Sequence, residues 1–346
     1  MKCKLNLSTA RAVAKVTAGI VVALGSMSAA AAPVDCKLVQ VDEWAVRLER
    51  NLVLVDGAIN GQTIRVMLDT GAMRSFVLRA AAVRLGLPQR TTPYAGFGVG
   101  GSSYYDIVHL KEFRIGQAVR RDWGVPSLGE NDPGAGIAFV LGEDFFSQVD
   151  VEFDLAHKSM RLFQPKGCDG VSLAYWAGDA SEMPIARIDE FHPQIVLTVL
   201  VNGQPVEALL DSGASRSVLT KSAAAKLGVA PDKPGALPAG KMAGLGRGAV
   251  DSWMGQFDSV VIGNEKISDT TIAVADLFND SNAPRLRPML LGTDFLLSHR
   301  VLVSHSQRKI YFTYAGGPVF QRIAPAKPPA SRAEGDPSPK PVEAER

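Results

Sequence analysis

The sequence predicts an all-β protein with short helices, in which two barrel-like lobes follow one another along the chain. Three observations carry this. Ile59 to Leu87 (INGQTIRVMLDTGAMRSFVLRAAAVRLGL) and Val201 to Val229 (VNGQPVEALLDSGASRSVLTKSAAAKLGV) are identical at thirteen of twenty-nine positions, at a constant offset of 142. Such self-similarity marks a duplicated structural unit. In each copy an Asn-Gly pair (Asn60-Gly61, Asn202-Gly203) separates two apolar runs. Both residues tolerate positive φ, so the segment reads as a tight hairpin. Further on, both copies repeat a glycine-rich stretch, an apolar-apolar-Gly motif and a closing hairpin, a succession of short strands and turns.

In chain order, Lys2, Lys4, Arg11 and Lys15 form a basic start, Val16 to Met27 is apolar, and Ser28 to Ala32 is small. That pattern predicts a signal peptide over 1–31, cleaved after Ala31. The apolar run is shorter than the ~20 residues a membrane span needs, so no stable span is expected after cleavage. Removing four positive charges turns the formal +2 of the whole chain into −2. The expected lobes run over 38–166 and 170–316. From 317 to 346 the chain is rich in Pro, Ala and charge and is expected to be disordered. Aromatics are 7% and no dense basic cluster occurs, which excludes a nucleic-acid groove.

Within each lobe the strand after the Asn-Gly turn runs into Asp69-Thr70-Gly71 or Asp211-Ser212-Gly213. An Ala-rich helix follows, ended by Gly86 or Gly228, with Thr220 as N-cap of the second. The glycine-rich stretches are Gly96-Phe97-Gly98-Val-Gly-Gly101 and Gly244-Leu245-Gly246-Arg-Gly248, and the late motifs are Val140-Leu-Gly142 and Leu290-Leu-Gly292. The closing hairpins begin at Val151 and Val301.

Met67 to Ala72 and Leu209 to Ala214 both read apolar-apolar-Asp-Thr/Ser-Gly-Ala. With the glycine-rich hairpin and the late apolar-apolar-Gly, this resembles the retropepsin-like aspartic proteases, over roughly 50–165 and again 190–315. The resemblance implies two retropepsin-like β-barrel lobes in tandem, forming a pepsin-like pseudo-dimer. It implies an aspartic endopeptidase with Asp69 and Asp211 as catalytic dyad and no cofactor. It makes Thr70 and Ser212 the residues that lock the two loops together, Gly71 and Gly213 the points of close backbone approach, and Gly96, Phe97, Gly98, Gly244, Leu245 and Gly246 parts of flaps over a protein or peptide substrate. The physical need for two copies is direct. Hydrolysis by water needs one group to take a proton and another to give one, and two carboxyls held close share one proton between them.

Alternatives remain at this point. The fold and groove could bind peptides without turnover, or the lobes could pair between chains instead of forming a monomer. Gly96, Gly98 and Gly101 match G-x-G-x-x-G, but a strand-like Ser102–Val108 follows where a dinucleotide site needs a helix. Gly235 to Lys241 imitates a phosphate loop until Met242 takes the place of Ser or Thr. The five histidines have no metal-ligand spacing, and no metal is expected. Cys36 and Cys168 are the cysteines left after the leader; one disulfide or two buried thiols are the alternatives, and a periplasmic or secreted location would favour the bond. Met73 faces Ser215 across the repeat, which predicts an outer hydrogen bond to the Asp211 carboxyl alone, and hence the charge on Asp211.

Overall fold

The computed structural model describes residues 35–129, 131, 133–134, 136–186, 194–232, 236–277 and 287–320. The expected signal peptide, His192, Gly235 and the tail beyond Phe320 lie outside the described residues. After β1 (Lys37–Ala45) and β2 (Arg47–Glu49), β3 (Leu52–Ile59) and β4 (Gln62–Leu68) form the first Asn-Gly hairpin. Asn60 and Gly61 have φ of 51° and 80°, the left-handed pair such a turn needs. Asn serves a second purpose there. Its backbone N–H donates to Glu112 O (2.8 Å) and its Oδ1 accepts from Glu112 N–H (3.0 Å), pinning the turn to a neighbouring strand. Asn202 repeats both bonds with Ser259.

The first lobe continues through β5 (Phe76–Leu78), α1 (Arg79–Arg84), β6 (Gln89–Gly98), β7 (Gly101–Ile115), β8 (Ala118–Leu128) and β9 (Ile137–Leu141). Its sheet runs β3-β4-β9-β5-β8-β7, and β7 pairs back onto β3, closing a six-strand barrel with β6 as an appended hairpin arm. Next come α2 (Glu143–Phe146), β10 (Asp150–Asp154), β11 (Ser159–Lys166) and β12 (Ser181–Pro184). The second lobe holds β13 (Val196–Val201), β14 (Gln204–Leu210), β15 (Val218–Thr220), α3 (Lys221–Lys226), β16 (Leu237–Ala243), β17 (Ala249–Ile262), β18 (Glu265–Ala275) and β19 (Met289–Leu291). It closes in the same order, β13-β14-β19-β15-β18-β17 and back to β13, with β16 as its arm. Thr220 caps α3 by accepting from Ala223 N–H (3.2 Å), whereas Leu78 at the start of α1 has no hydroxyl to do so.

The closing hairpins do not complete the barrels. After α4 (Thr293–Ser298), β20 (His299–Ser304) and β21 (Lys309–Tyr314) join β10, β11, β1 and β12 in a separate six-stranded sheet, ordered β1-β11-β10-β20-β21-β12. Each half contributes three strands, and the halves meet where Val151 pairs with Val303 and Phe153 with Val301. Burial explains the departure. All five residues of β10 are buried, so the strand needs neighbours on both edges and cover on both faces. On one face Val151 and Phe153 enter the core. On the other, Arg161 bonds Glu152 (2.6 Å) and Asp154 (3.3 Å), and Arg300 reaches Glu152 from the second half (3.1 Å). One contiguous apolar cluster runs from Val53 through Phe153 and Val303 to Val199, so both barrels share a core with the sheet between them. Cys36 and Cys168 are joined by a disulfide beside the paired ends of β1 and β11. Phe320 is buried, so the first residues of the segment expected as tail pack on the core. Among the described residues no helix is long and apolar enough to cross a membrane.

Candidate active site

Strand order creates the site. β9 lies between β4 and β5, parallel to the first and antiparallel to the second. The chain from Leu68 to Phe76 must therefore cross the end of β9, and that crossing loop carries Asp69. Asp69 N–H donates to Leu141 O (2.9 Å). The second lobe repeats the arrangement with β14, β19 and β15, and Asp211 N–H donates to Leu291 O (2.9 Å). Two further aspartates brace these loops. Ser75 donates through N–H and Oγ to Asp144 (2.8 and 2.6 Å), and Ser217 does the same to Asp294 (2.8 and 2.6 Å).

The two loops meet within one chain through a reciprocal set of bonds. Thr70 Oγ1 donates to Leu210 O (2.7 Å) and accepts from Ser212 N–H (3.0 Å). Ser212 Oγ donates to Leu68 O (2.9 Å) and accepts from Thr70 N–H (3.0 Å). Both hydroxyls are buried, so four backbone groups that face no water are satisfied across the interface. Each carboxyl lies against the glycine of the opposite loop. A Cβ on Gly71 would lie 2.5 Å from Asp211 Cγ, and one on Gly213 would overlap the Asp69 carboxyl; only glycine fits.

Each carboxyl is held by its own loop. Asp69 Oδ1 accepts from Gly71 and Ala72 N–H (both 3.0 Å), and Asp211 Oδ1 from Gly213 (2.9 Å) and Ala214 (3.0 Å). Burial, then the charge and hydrogen bond of Asp211, push the Asp69 carboxyl well above the usual carboxylate range. Asp211 is raised by burial as well, but the bond from Asp69 and the backbone N–H groups pull it back. Of the two, the Asp69 carboxyl is pushed up further. The hydrogen bond expected from Ser215 does not account for this. Met73 is exposed, and the Ser215 hydroxyl makes no bond to Asp211 among the described residues; its carbonyl accepts from Asn51 Nδ2 instead (3.2 Å). The difference between the two carboxyls comes from burial and from their own contact, and not from an outer hydroxyl.

Both glycine-rich stretches arch together. Gly246 N–H donates to Val99 O and Gly248 N–H to Gly100 O (both 3.0 Å). Leu245 covers both glycines of the first arm: a Cβ added to Gly98 would sit 2.9 Å from Leu245 Cβ, and one added to Gly96 3.5 Å from Leu245 Cδ2. Asn131, from the loop after β8, donates to Gly244 O (3.0 Å) and Gly246 O (2.7 Å). Phe97 is partly exposed at 38%. The tips of the β6–β7 and β16–β17 hairpins thus touch each other.

Reading the sequence missed Asn131, which belongs to no repeat. It also missed Asp144 and Asp294, although both follow the late Gly at equal spacing in Gly-Glu-Asp-Phe and Gly-Thr-Asp-Phe. Burial pushes Asp294 up to about 6. Between these motifs, Glu143 replaces Thr293. Thr293 Oγ1 donates to Ser212 O (3.1 Å), whereas both oxygens of Glu143 are buried with no hydrogen bond, and Oε2 lies 3.6 Å from His305 Nε2. Burial, then Asp69, raises Glu143 well above its usual range. His299 is a packed histidine, bonded to Phe295 O and Glu265. Among the described residues no three His, Cys, Asp or Glu side chains gather as a metal site.

The aspartyl protease family model matches residues 55–145 and again 197–295. Each match begins in the Asn-Gly hairpin and ends just past the late Gly motif, so it spans one barrel and its crossing loop. No curated protein matches the chain. Two matches of one family model, over more than half of the chain, fall on two barrels of one strand order. The chain belongs to the retropepsin-like aspartyl protease family, with the family domain present twice in one polypeptide.

Proposed function

We propose that this protein is an exported aspartic endopeptidase that works as a single chain, with Asp69 as general acid and Asp211 as general base. The observation that carries the reading is the contact of the two carboxyls, each lying over the glycine of the opposite loop. In the reaction a water bound between them gives a proton to the Asp211 carboxylate as its oxygen attacks the scissile carbonyl carbon. Asp69 gives its proton to the carbonyl oxygen, leaving a neutral gem-diol. When the diol collapses, Asp69 takes a proton back from one hydroxyl and Asp211 passes its own to the departing amine. Thr70 and Ser212 hold the loops so that neither carboxyl swings away, and the paired hairpin tips exclude bulk water. No cofactor enters the scheme.

Export to the periplasm or outside the cell is supported by the basic-apolar-small N-terminus and by the Cys36–Cys168 bond, which suits an oxidising compartment. Joining of both carboxyls inside one chain favours an active monomer. The test is to purify the mature chain beside Asp211→Asn and incubate both with a reduced, denatured protein across pH 3–8. Loss of cleavage in the variant, with the parent active as a monomer by gel filtration, is the expected result. Equal cleavage by both sinks the dyad, and peptide binding without cleavage by the parent marks a binding protein instead.

A further inference from the structure

Arg216 lies five residues past Asp211 and is only 8% exposed. It leaves the crossing loop toward the second hairpin arm, where its Nη2 has two long contacts, to Ala239 O and Ser252 Oγ (both 3.4 Å). Its remaining N–H groups are neither bonded nor sealed from solvent. No carboxylate bonds it among the described residues. Asp294 is the anion whose charge acts on it, but its oxygens are taken by Ser217 N–H, Ser217 Oγ and Phe295 N–H. The neighbourhood is otherwise apolar: Val250 and Met254, two positions either side of Ser252, are buried with Leu277.

A buried guanidinium without a bonded counter-charge costs stability, and burial accordingly lowers the pKa of this one. A bracing role for Asp294 does not explain it. In the first lobe Asp144 bonds Ser75 in the same way while the matching Arg74 stands exposed. What distinguishes Arg216 is its place, between the Asp211 loop and the arm that would lie over a bound chain. An Arg fork there matches one planar carboxylate.

We propose that Arg216 is a specificity-determining residue that receives an Asp or Glu side chain of the substrate near the scissile bond, on the wall built by the second lobe. The proposal rests on the reading of this groove as the substrate site. Its test uses peptides spanning a bond cleaved in denatured lysozyme, with Glu or Gln placed at each position in turn. The parent cleaves the Glu peptide about tenfold faster than its Gln twin at one position, an effect of the size of one charge-assisted hydrogen bond. Arg216→Gln brings that ratio close to one and Arg216→Lys keeps part of it, with thermal melting confirming that both variants fold. An unchanged ratio in Arg216→Gln, or no position with a Glu preference in the parent, overturns the proposal. The same peptide pairs titrated into Asp211→Asn separate recognition from turnover. If the parent cleaves nothing, overlapping lysozyme peptides with Glu or Gln at each position replace these pairs; tighter Glu-peptide binding that Arg216→Gln abolishes still upholds the role of Arg216, and equal or absent binding ends it.

Discussion

Asp69 shows what a single side chain contributes at the cost of stability. Its folded-state pKa lies well above the unfolded one, because of burial and then Asp211. A carboxyl raised in this way binds more protons folded than unfolded, so its contribution turns unfavourable as pH rises above the unfolded value near 4 and on through the folded one. Asp69→Asn therefore removes activity yet unfolds at a higher temperature than the parent at pH 7, by about 2 °C or more. The gain shrinks toward pH 3, where the parent carboxyl is protonated in both states; calorimetry at both pH values checks this. The pair itself was legible, because Asp69 and Asp211 fall at equal places in a repeat. The path of the Ser215 hydroxyl was not, since a residue name does not tell which neighbour a side chain meets in a loop held by tertiary contacts. Arg74 and Arg216 make the same point: one letter, one spacing, opposite burial.

At the scale of loops and hairpins, the hydroxyls of Thr70 and Ser212 act as one joint. Thr70→Val keeps the shape but leaves Leu210 O and Ser212 N–H buried without partners. Two such groups cost about 2–4 kcal/mol together, read as a lower denaturant midpoint, while Thr70→Ser recovers most of the loss. The hairpin arms give a different kind of variant. A Cβ on Gly246 would overlap the backbone of Gly100, so Gly246→Ala keeps the arms apart. Cleavage efficiency, kcat/KM, is expected to fall at least about tenfold with the melting temperature within about 1 °C of the parent. The hairpins, helices and glycine-rich arms were readable from local chemistry, since Asn-Gly turns and a Thr cap act over a few residues. The destination of the closing hairpins was not. Their pairing depends on β10 meeting β20, residues about 150 positions apart whose partnership no local rule specifies.

For the molecule as a whole, the disulfide ties the first strand of the shared sheet to the end of the first lobe, 132 positions on. Closing a loop of that length removes about 5 kcal/mol of chain entropy from the unfolded state in the simplest model. Replacing both cysteines by Ser is expected to lower the melting temperature by about 5 °C or more, and adding a reductant to the parent should approach the same value. The six-stranded sheet has another consequence, which concerns how such a molecule changes over generations. In an assembly of identical subunits every substitution is written twice, once on each side of the axis. Here the two sides are spelled out separately, three strands each, in one reading frame. Glu143 could replace what stands as Thr293, and Arg216 could turn inward while Arg74 stayed outside, without either change being copied to the other wall. A groove with two independently editable walls can come to tell one end of a bound chain from the other.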